Sequence, residues 1–281
     1  IYGAPTIASR WLQRLTQLTR GLGLEEALAA KLDYAAIAAR MMDVPLSTRL
    51  PRPAPTPPVE TRPRRLSVTE IETWLRDPYA IYAKHILRLK PLDALDEPIG
   101  PLERGTALHK ALELFIAKYK DRLPDDAERQ LTAIADRVFA QAGIPKAALA
   151  LWRPRFGAAA RGFIEFERER RQTIATSHLE IKGSLPLGDF TLTGVADRID
   201  LLKDGKCAIL DYKTGAIPTI KQVTQLLSPQ LPLEAAMLAQ GGFPQIGKRI
   251  AEDLIYLSLA SERLARAPRH IDDAAALAEE A

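Results

Sequence analysis

The chain has 281 residues, 47% of them hydrophobic and 26% charged, which excludes a mainly disordered polypeptide and leaves ample apolar material for a core. Its 39 Lys+Arg against 35 Asp+Glu give a net charge of +4, and its single cysteine, Cys207, excludes an internal disulfide, a four-cysteine zinc site and a cysteine-ligated iron–sulfur cluster. No apolar run approaches the roughly 20 residues of a membrane span and no signal-peptide pattern opens the sequence, so no membrane association and a reducing, cytoplasmic location are expected.

The first residue is Ile1 rather than Met, which reads as a piece of a longer polypeptide. The basic surplus lies within residues 1–65 and is mostly arginine. It permits a polyanionic partner without requiring one, and on charge alone it reads first as a solvated basic linker.

Residues 1–48 form a helical segment in this reading. Ser9 can cap a helix carrying Trp11, Leu12, Leu15 and Leu18 at helical spacing, and Gly21 and Gly23 stop it. A second helix is expected over Leu24–Met42. Two such helices make a poor core alone, so they are expected to pack on something else. Residues 49–65 hold Pro51, Pro53, Pro55, Pro57, Pro58 and Pro63 among arginines. That stretch reads as a semi-rigid linker that forms neither helix nor sheet.

The main domain, 66–281, opens with Ser67 or Thr69 capping a helix that contains Ile71, Trp74 and Leu75, with Pro78 breaking or restarting it. Residues 104–119 are an amphipathic helix with Leu108, Leu112, Phe115 and Tyr119 on one stripe. Two or more helices fill 125–172. An antiparallel meander covers 178–215, helix returns over 222–239, and residues 253–259 read as a buried strand. The tail from Ala260 is expected to be helical or frayed. The run G-F-P-Q-I-G-K-R (242–249) mimics a phosphate loop but has Arg249 where Ser or Thr is required.

The chemistry concentrates between Gly194 and Gly215. Asp211 and Lys213, two apart on one strand, share a face. A two-residue turn at Asp204-Gly205 would put Asp197 opposite Tyr212. A three-residue loop, Lys203-Asp204-Gly205, puts it opposite Asp211, and it needs a left-handed third residue, which Gly205 supplies. The second geometry is therefore predicted, with two facing carboxylates about 4.5–5.5 Å apart at Cβ and a lysine beside them. Facing carboxylates repel unless neutralised, and a hard cation such as Mg²⁺ does so. A lysine beside such a cation suits phosphodiester hydrolysis.

The strings G-T-A-L-H (105–109), G-V-A-D-R-I-D (194–200), L-D-Y-K-T-G (210–215) and Q-L-P-L-E (230–234) occur in this order. Together they resemble the RecB-family branch of the PD-(D/E)XK nucleases, and more narrowly the C-terminal nuclease domain of AddB-type helicase–nuclease subunits. S-R-W-L-Q-R-L (9–15) resembles the segment that leaves the helicase-like part of such subunits. The resemblance implies an α/β restriction-endonuclease-like core, a short mixed sheet flanked by helices, with an N-terminal helical appendage. It implies that Asp197, Asp211 and the Tyr212 carbonyl bind Mg²⁺, with Mn²⁺ as the alternative, that His109 completes the metal site, and that Lys213 positions the attacking water or stabilises the transition state. Gln230 and Glu180 are implied near the site. The implied function is cleavage of single-stranded DNA in double-strand break repair, with an AddA-type subunit as heterodimer partner. The alternatives are a catalytically silent DNA- or partner-binding domain of the same fold and a stand-alone exonuclease.

The chain departs from the AddB-type pattern at Asp77, where an iron–sulfur cysteine would precede Pro78-Tyr79. No cluster is expected, and Trp74, Tyr79 and Tyr82 are the candidates to replace that staple. His85, His178 and His270 have no motif support and read as structural.

Overall fold

The computed structural model describes residues 7–28, 32–43, 52, 54–92, 100–263 and 268–281. The chain divides into two compact units, residues 1–53 and 54–281.

In the first unit, α1 (Arg10–Gly21) starts where the Ser9 hydroxyl accepts a hydrogen bond from the Leu12 N–H at 3.2 Å. The expected single helix over Leu24–Met42 does not form. Glu25–Leu28 make a 3₁₀ turn and α2 (Tyr34–Met42) begins separately. Asp33 sets that start, because its carboxylate caps α2 by accepting from the Ala36 N–H at 2.9 Å. Neither helix buries a side chain, and Trp11, Leu12, Leu15 and Leu18 are exposed.

The 49–65 stretch is not wholly irregular. Val59–Thr61 form one 3₁₀ turn, and Arg65 opens strand β1 (Arg65–Ser67). The pairing of β1 with a distant strand, which no local propensity encodes, is what recruits Arg65. Residues 44–51 and 53 lie outside the described residues.

The second unit is built on a six-stranded mixed sheet: β1, β2 (Ile174–Leu187), β3 (Phe190–Leu202), β4 (Cys207–Lys213), β5 (Ala251–Ser258) and β6 (Arg269–Ile271). β2 lines one edge of β3 in antiparallel register. The other edge of β3 takes β1 in parallel near Leu192 and β4 antiparallel from Arg198 to Leu201. β4 and β5 are parallel, and β6 closes the sheet antiparallel to β5. The tail is thus not only helical, because β6 precedes the last helix.

The α-helices of this unit with both ends among the described residues are α3 (Val68–Arg76), α4 (Pro78–Ile81), α5 (Pro101–Lys118), α6 (Ala127–Gln141), α7 (Lys146–Arg170), α8 (Ile220–Thr224), α9 (Gln230–Ala239) and α10 (Ala274–Glu280), with α4 running on into a π-helical turn, Tyr82–Ile86. The helix expected over 222–239 is two helices. Leu226, with φ +53°, and Pro229 interrupt it.

Burial along β4 alternates between two cores. Ala208, Leu210 and Tyr212 pack with α5, α6 and α7, where Leu112 and Phe115 are fully buried and each contribute roughly 1.5–3 kcal/mol. Cys207 and Ile209 pack on the other face with Leu231, Leu238 and Leu277 of α9 and α10. Gly183 of β2 lets the Phe243 ring close on the sheet, since a Cβ there would sit 2.5 Å from that ring.

α3 is not held by the expected aromatic staple. Trp74 and Tyr79 are 50% and 44% exposed, and Tyr82 packs its ring on Tyr79 at 5.8 Å. A polar clamp serves instead: Arg76 donates to the Ser228 hydroxyl at 2.8 Å, which donates to Glu72 at 3.3 Å. Asp77, in place of the cysteine, caps α4 by accepting from the Ala80 N–H. No helix among the described residues is long and apolar enough to cross a membrane.

Candidate active site

The β3–β4 hairpin fixes the first two carboxylates. Arg198 pairs with Leu210, Ile199 with Ile209 and Leu201 with Cys207, and Leu202 N–H donates to the Lys206 carbonyl at 2.8 Å. The loop is Lys203-Asp204-Gly205, with Gly205 at φ +86°, as the spacing predicts. One step beyond the last ladder pair, Asp197 stands opposite Asp211. There the backbone ladder gives way to a side chain, because the Tyr212 N–H donates to Asp197 Oδ2 at 2.8 Å.

β2 adds a third carboxylate. Leu179 pairs with Arg198 and Ile181 with Ala196, so Glu180 stands opposite Asp197, and its backbone is left-handed at φ +48°. A non-glycine residue held there costs on the order of 1–3 kcal/mol and persists only when its surroundings impose it. Glu180, Asp197 and Asp211 therefore form a row across three adjacent strands.

α5 supplies the histidine. Its 105–109 turn passes close to the end of β4, where a Cβ at Gly105 would lie 3.5 Å from Thr214 Oγ1. His109 Nδ1 lies 3.4 Å from Asp197 Oδ1, and its ring meets Tyr212 edge-on at 6.1 Å. His109, Glu180 and Asp197 each offer one ligand atom, all within 4.8 Å of one another. His109 and Glu180 border an open cleft of about 440 Å³ that Gly105, Lys110 and Thr214 also line.

Asp211 is bound differently. It is 2% exposed, and Lys213 Nζ lies 2.9 Å from both its carboxylate oxygens. Gln230, at the start of α9, bridges the pair: its amide N–H donates to Asp211 Oδ1 at 2.7 Å and its carbonyl accepts from Lys213 Nζ at 3.0 Å. The same amide reaches Glu234 Oε1 at 3.3 Å. Glu234 Oε2 is buried with no hydrogen-bond partner among the described residues.

The electrostatics follow from this packing. Burial, and then the Asp197 charge, push the Asp211 carboxyl up to about 6 against the pull of Lys213. Burial and Asp197 raise Glu180, and burial and Asp211 raise Glu234 well above the carboxylate range. Burial alone would lower His109 and Lys213, but the carboxylates outweigh it and raise both. The site thus carries more negative charge than its own cations offset. A hard divalent cation fits that deficit, with one imidazole and carboxylate oxygens already gathered.

Behind the sheet lies a network that the motifs did not single out. Arg198, 1% exposed, pairs with Glu167 of α7 and, at 2.6 Å, with Asp200. It also donates to the Tyr212 hydroxyl at 3.3 Å, so the residue between Asp211 and Lys213 is anchored by its ring. Arg170 and Ser177 complete the partners of Asp200. The sequence signal was available in D-R-I-D, charges alternating inside an otherwise apolar strand. The other histidines are bound elsewhere, His85 to Glu70 and His270 to Asp253, each at 2.8 Å, and His178 pairs within the β2–β3 ladder.

Comparison with known proteins places this geometry. Residues 65–281 match the model of the PD-(D/E)XK nuclease superfamily. An uncharacterized protein of Rickettsia bellii (strain RML369-C) is 37% identical over 185 residues, covering 64% of this chain and 22% of that protein. An uncharacterized protein of Rickettsia conorii (strain ATCC VR-613 / Malish 7) is 37% identical over 189 residues, covering 64% and 23%. The chain thus spans less than a quarter of the length of these relatives. The crystal structure of SSO0001 aligns over 75% of this chain and 82% of that one at 16% identity, with a TM-score of 0.26, too low to define the fold. The α/β architecture with its mixed sheet between helices and the match over residues 65–281 agree: the chain belongs to the PD-(D/E)XK nuclease superfamily.

Proposed function

We propose that this chain is a divalent-metal-dependent deoxyribonuclease domain that hydrolyses single-stranded DNA inside a larger helicase–nuclease assembly for double-strand break repair. The observation that carries the reading is that His109, Glu180 and Asp197 bring their ligand atoms within 4.8 Å of one another, beside the cleft that His109 and Glu180 line, with the Asp211–Lys213 pair on the neighbouring strand. The motif resemblance supports the assembly and its AddA-type partner, and the much greater length of the relatives supports a domain within a longer polypeptide.

In this reading, His109, Glu180, Asp197 and Asp211, with the Tyr212 carbonyl, would hold Mg²⁺ or Mn²⁺. A cation held there neutralises phosphate charge and lowers the pKa of water. Lys213 is held protonated by its carboxylate neighbours, so it acts as a charge donor to the phosphate rather than as a base. Gln230 fixes its direction. Water adds to phosphorus, one P–O ester bond breaks, and the leaving alkoxide takes up a proton.

The test is cleavage of end-labelled single-stranded DNA with Mg²⁺ or Mn²⁺, alongside Asp211→Ala and Lys213→Ala. Metal-dependent cutting lost in both variants supports the reading. Absence of cutting by the chain and by the full assembly would overturn it in favour of a binding domain.

A further inference from the structure

α5 presents two adjacent rows to two adjacent cavities. Gly105 and His109, four apart, border the catalytic cleft, while Arg104 and Leu108, also four apart, border a second cavity of about 250 Å³. Thr214, next to Lys213, lines both. The second cavity therefore opens directly beside the group proposed to meet the scissile phosphate.

Its walls are aromatic and basic. Phe139 of α6 holds Trp152 of α7 edge-on at 6.3 Å and Phe156 edge-on at 6.0 Å. Phe139 and Phe156 are buried, and Trp152 is half-buried. The indole is thus fixed by its neighbours before any ligand arrives. The Arg104 guanidinium lies 5.9 Å from the Trp152 ring centre, and the exposed Arg155 borders the same cavity. Among the described residues neither arginine has a carboxylate partner. A volume of about 250 Å³ is below the roughly 300–1,000 Å³ of typical small-molecule sites and is suited to a single planar group. Aromatic walls take the face of any base, and free guanidiniums take the phosphates on either side.

We propose that this cavity is a base-holding subsite, in which Trp152 stacks one unpaired nucleobase of a DNA strand while Arg104 and Arg155 hold its flanking phosphates next to the catalytic cleft. The inference rests on the nuclease reading above and adds a source for single-strand preference: a paired base has its faces covered by its neighbours in the stack.

The test reads binding apart from cleavage. In the 281-residue chain carrying Trp11→Phe and Trp74→Phe, Trp152 is the sole indole. With EDTA present, its fluorescence is followed on titration with a short oligothymidylate, an abasic oligonucleotide of equal length and a blunt duplex. The expected result is quenching by oligothymidylate, with about tenfold weaker binding of the abasic strand and no quenching by the duplex. Trp152→Leu, which has no indole and is therefore read by the anisotropy of dye-labelled oligonucleotides, should erase the tenfold preference while leaving abasic binding unchanged. The surface change Arg155→Ala should weaken both single strands and serves if Trp152→Leu does not fold. Equal affinity for base-bearing and abasic strands, or no response of Trp152, overturns the proposal. The two readings separate in Mg²⁺. Base-dependent quenching without cleavage keeps the subsite and removes the nuclease; cleavage with base-independent binding does the reverse.

Discussion

Glu180 faces Asp197 across the β2–β3 ladder from a left-handed backbone, φ +48°. The strain and the charge at this position can be separated. Glu180→Gly releases the backbone and removes a carboxylate, so the metal-free chain should gain about 1 kcal/mol. Glu180→Gln also loses the repulsion from Asp197 but keeps the strain, so it should be about 1 kcal/mol less stable than Glu180→Gly. Both should weaken Mg²⁺ binding at least tenfold, since even partners outside the ligand set cost about 10–100-fold. Thermal unfolding in EDTA and calorimetric Mg²⁺ titration read the two effects. Undiminished Mg²⁺ affinity in both variants would remove Glu180 from the ligand set.

The buried Asp211 makes stability depend on pH with a definite sign. Its folded pKa, about 6, lies above the ordinary 3.8, so the native state favours the protonated form. The cost of ionisation is complete above pH 6 and vanishes as pH falls toward 4. About two units correspond to about 3 kcal/mol. Asp211→Asn stays neutral throughout. In EDTA at pH 8 it should melt on the order of 5–10 °C higher than the parent, with the gap closing by pH 4. Mg²⁺ should raise the parent's melting point and raise the variant's by less, since His109, Glu180 and Asp197 remain. A variant no more stable than the parent at pH 8 would show that Lys213 already offsets the burial.

The β3–β4 hairpin was legible because its determinants are local. The loop length and Gly205 set the register, and the register sets which carboxylates meet. Ser67, Ser9 and the 104–119 stripe were legible for the same reason. What the sequence concealed is set by distant partners. β6 is three residues long and exists only because β5 offers it an edge. The break before Gln230 depends on backbone angles at Leu226 that local propensity does not announce. Trp74 and Tyr79 look like core and are exposed, because hydrophobicity does not say which side of a short helix finds a partner. Arg198 looks like a surface arginine until β3 is seen to be covered by α7.

Gln230 is expected to act through Lys213 and Asp211 rather than on DNA. Gln230→Leu removes the carbonyl that receives the ammonium and the amide that donates to the carboxylate. Misplacing a catalytic group by about 1 Å can cost about 100-fold, so kcat should fall by about that much while KM for DNA stays level. Losing a donor to the ionised form raises a carboxyl pKa, so the acid limb of the pH–rate profile should move to higher pH. A rise in KM with unchanged kcat would instead make Gln230 a DNA contact.

Arg198 sits where one positive charge serves Glu167 and Asp200, both fully buried. Removing one partner of a buried ion pair leaves an uncompensated charge and costs about 3–5 kcal/mol. Arg198→Met should therefore destabilise by that amount in urea unfolding. Arg170 and Arg171 still contact Asp200 and Glu167, which places the expected value at the lower end. Tyr212→Phe loses only the 3.3 Å hydroxyl contact and should cost about 1 kcal/mol. The decisive comparison is the triple variant Arg198→Met, Glu167→Gln, Asp200→Asn. If the penalty is unpaired charge, neutralising both carboxylates should recover most of it; if the penalty is lost packing, the triple variant should be no more stable than Arg198→Met alone.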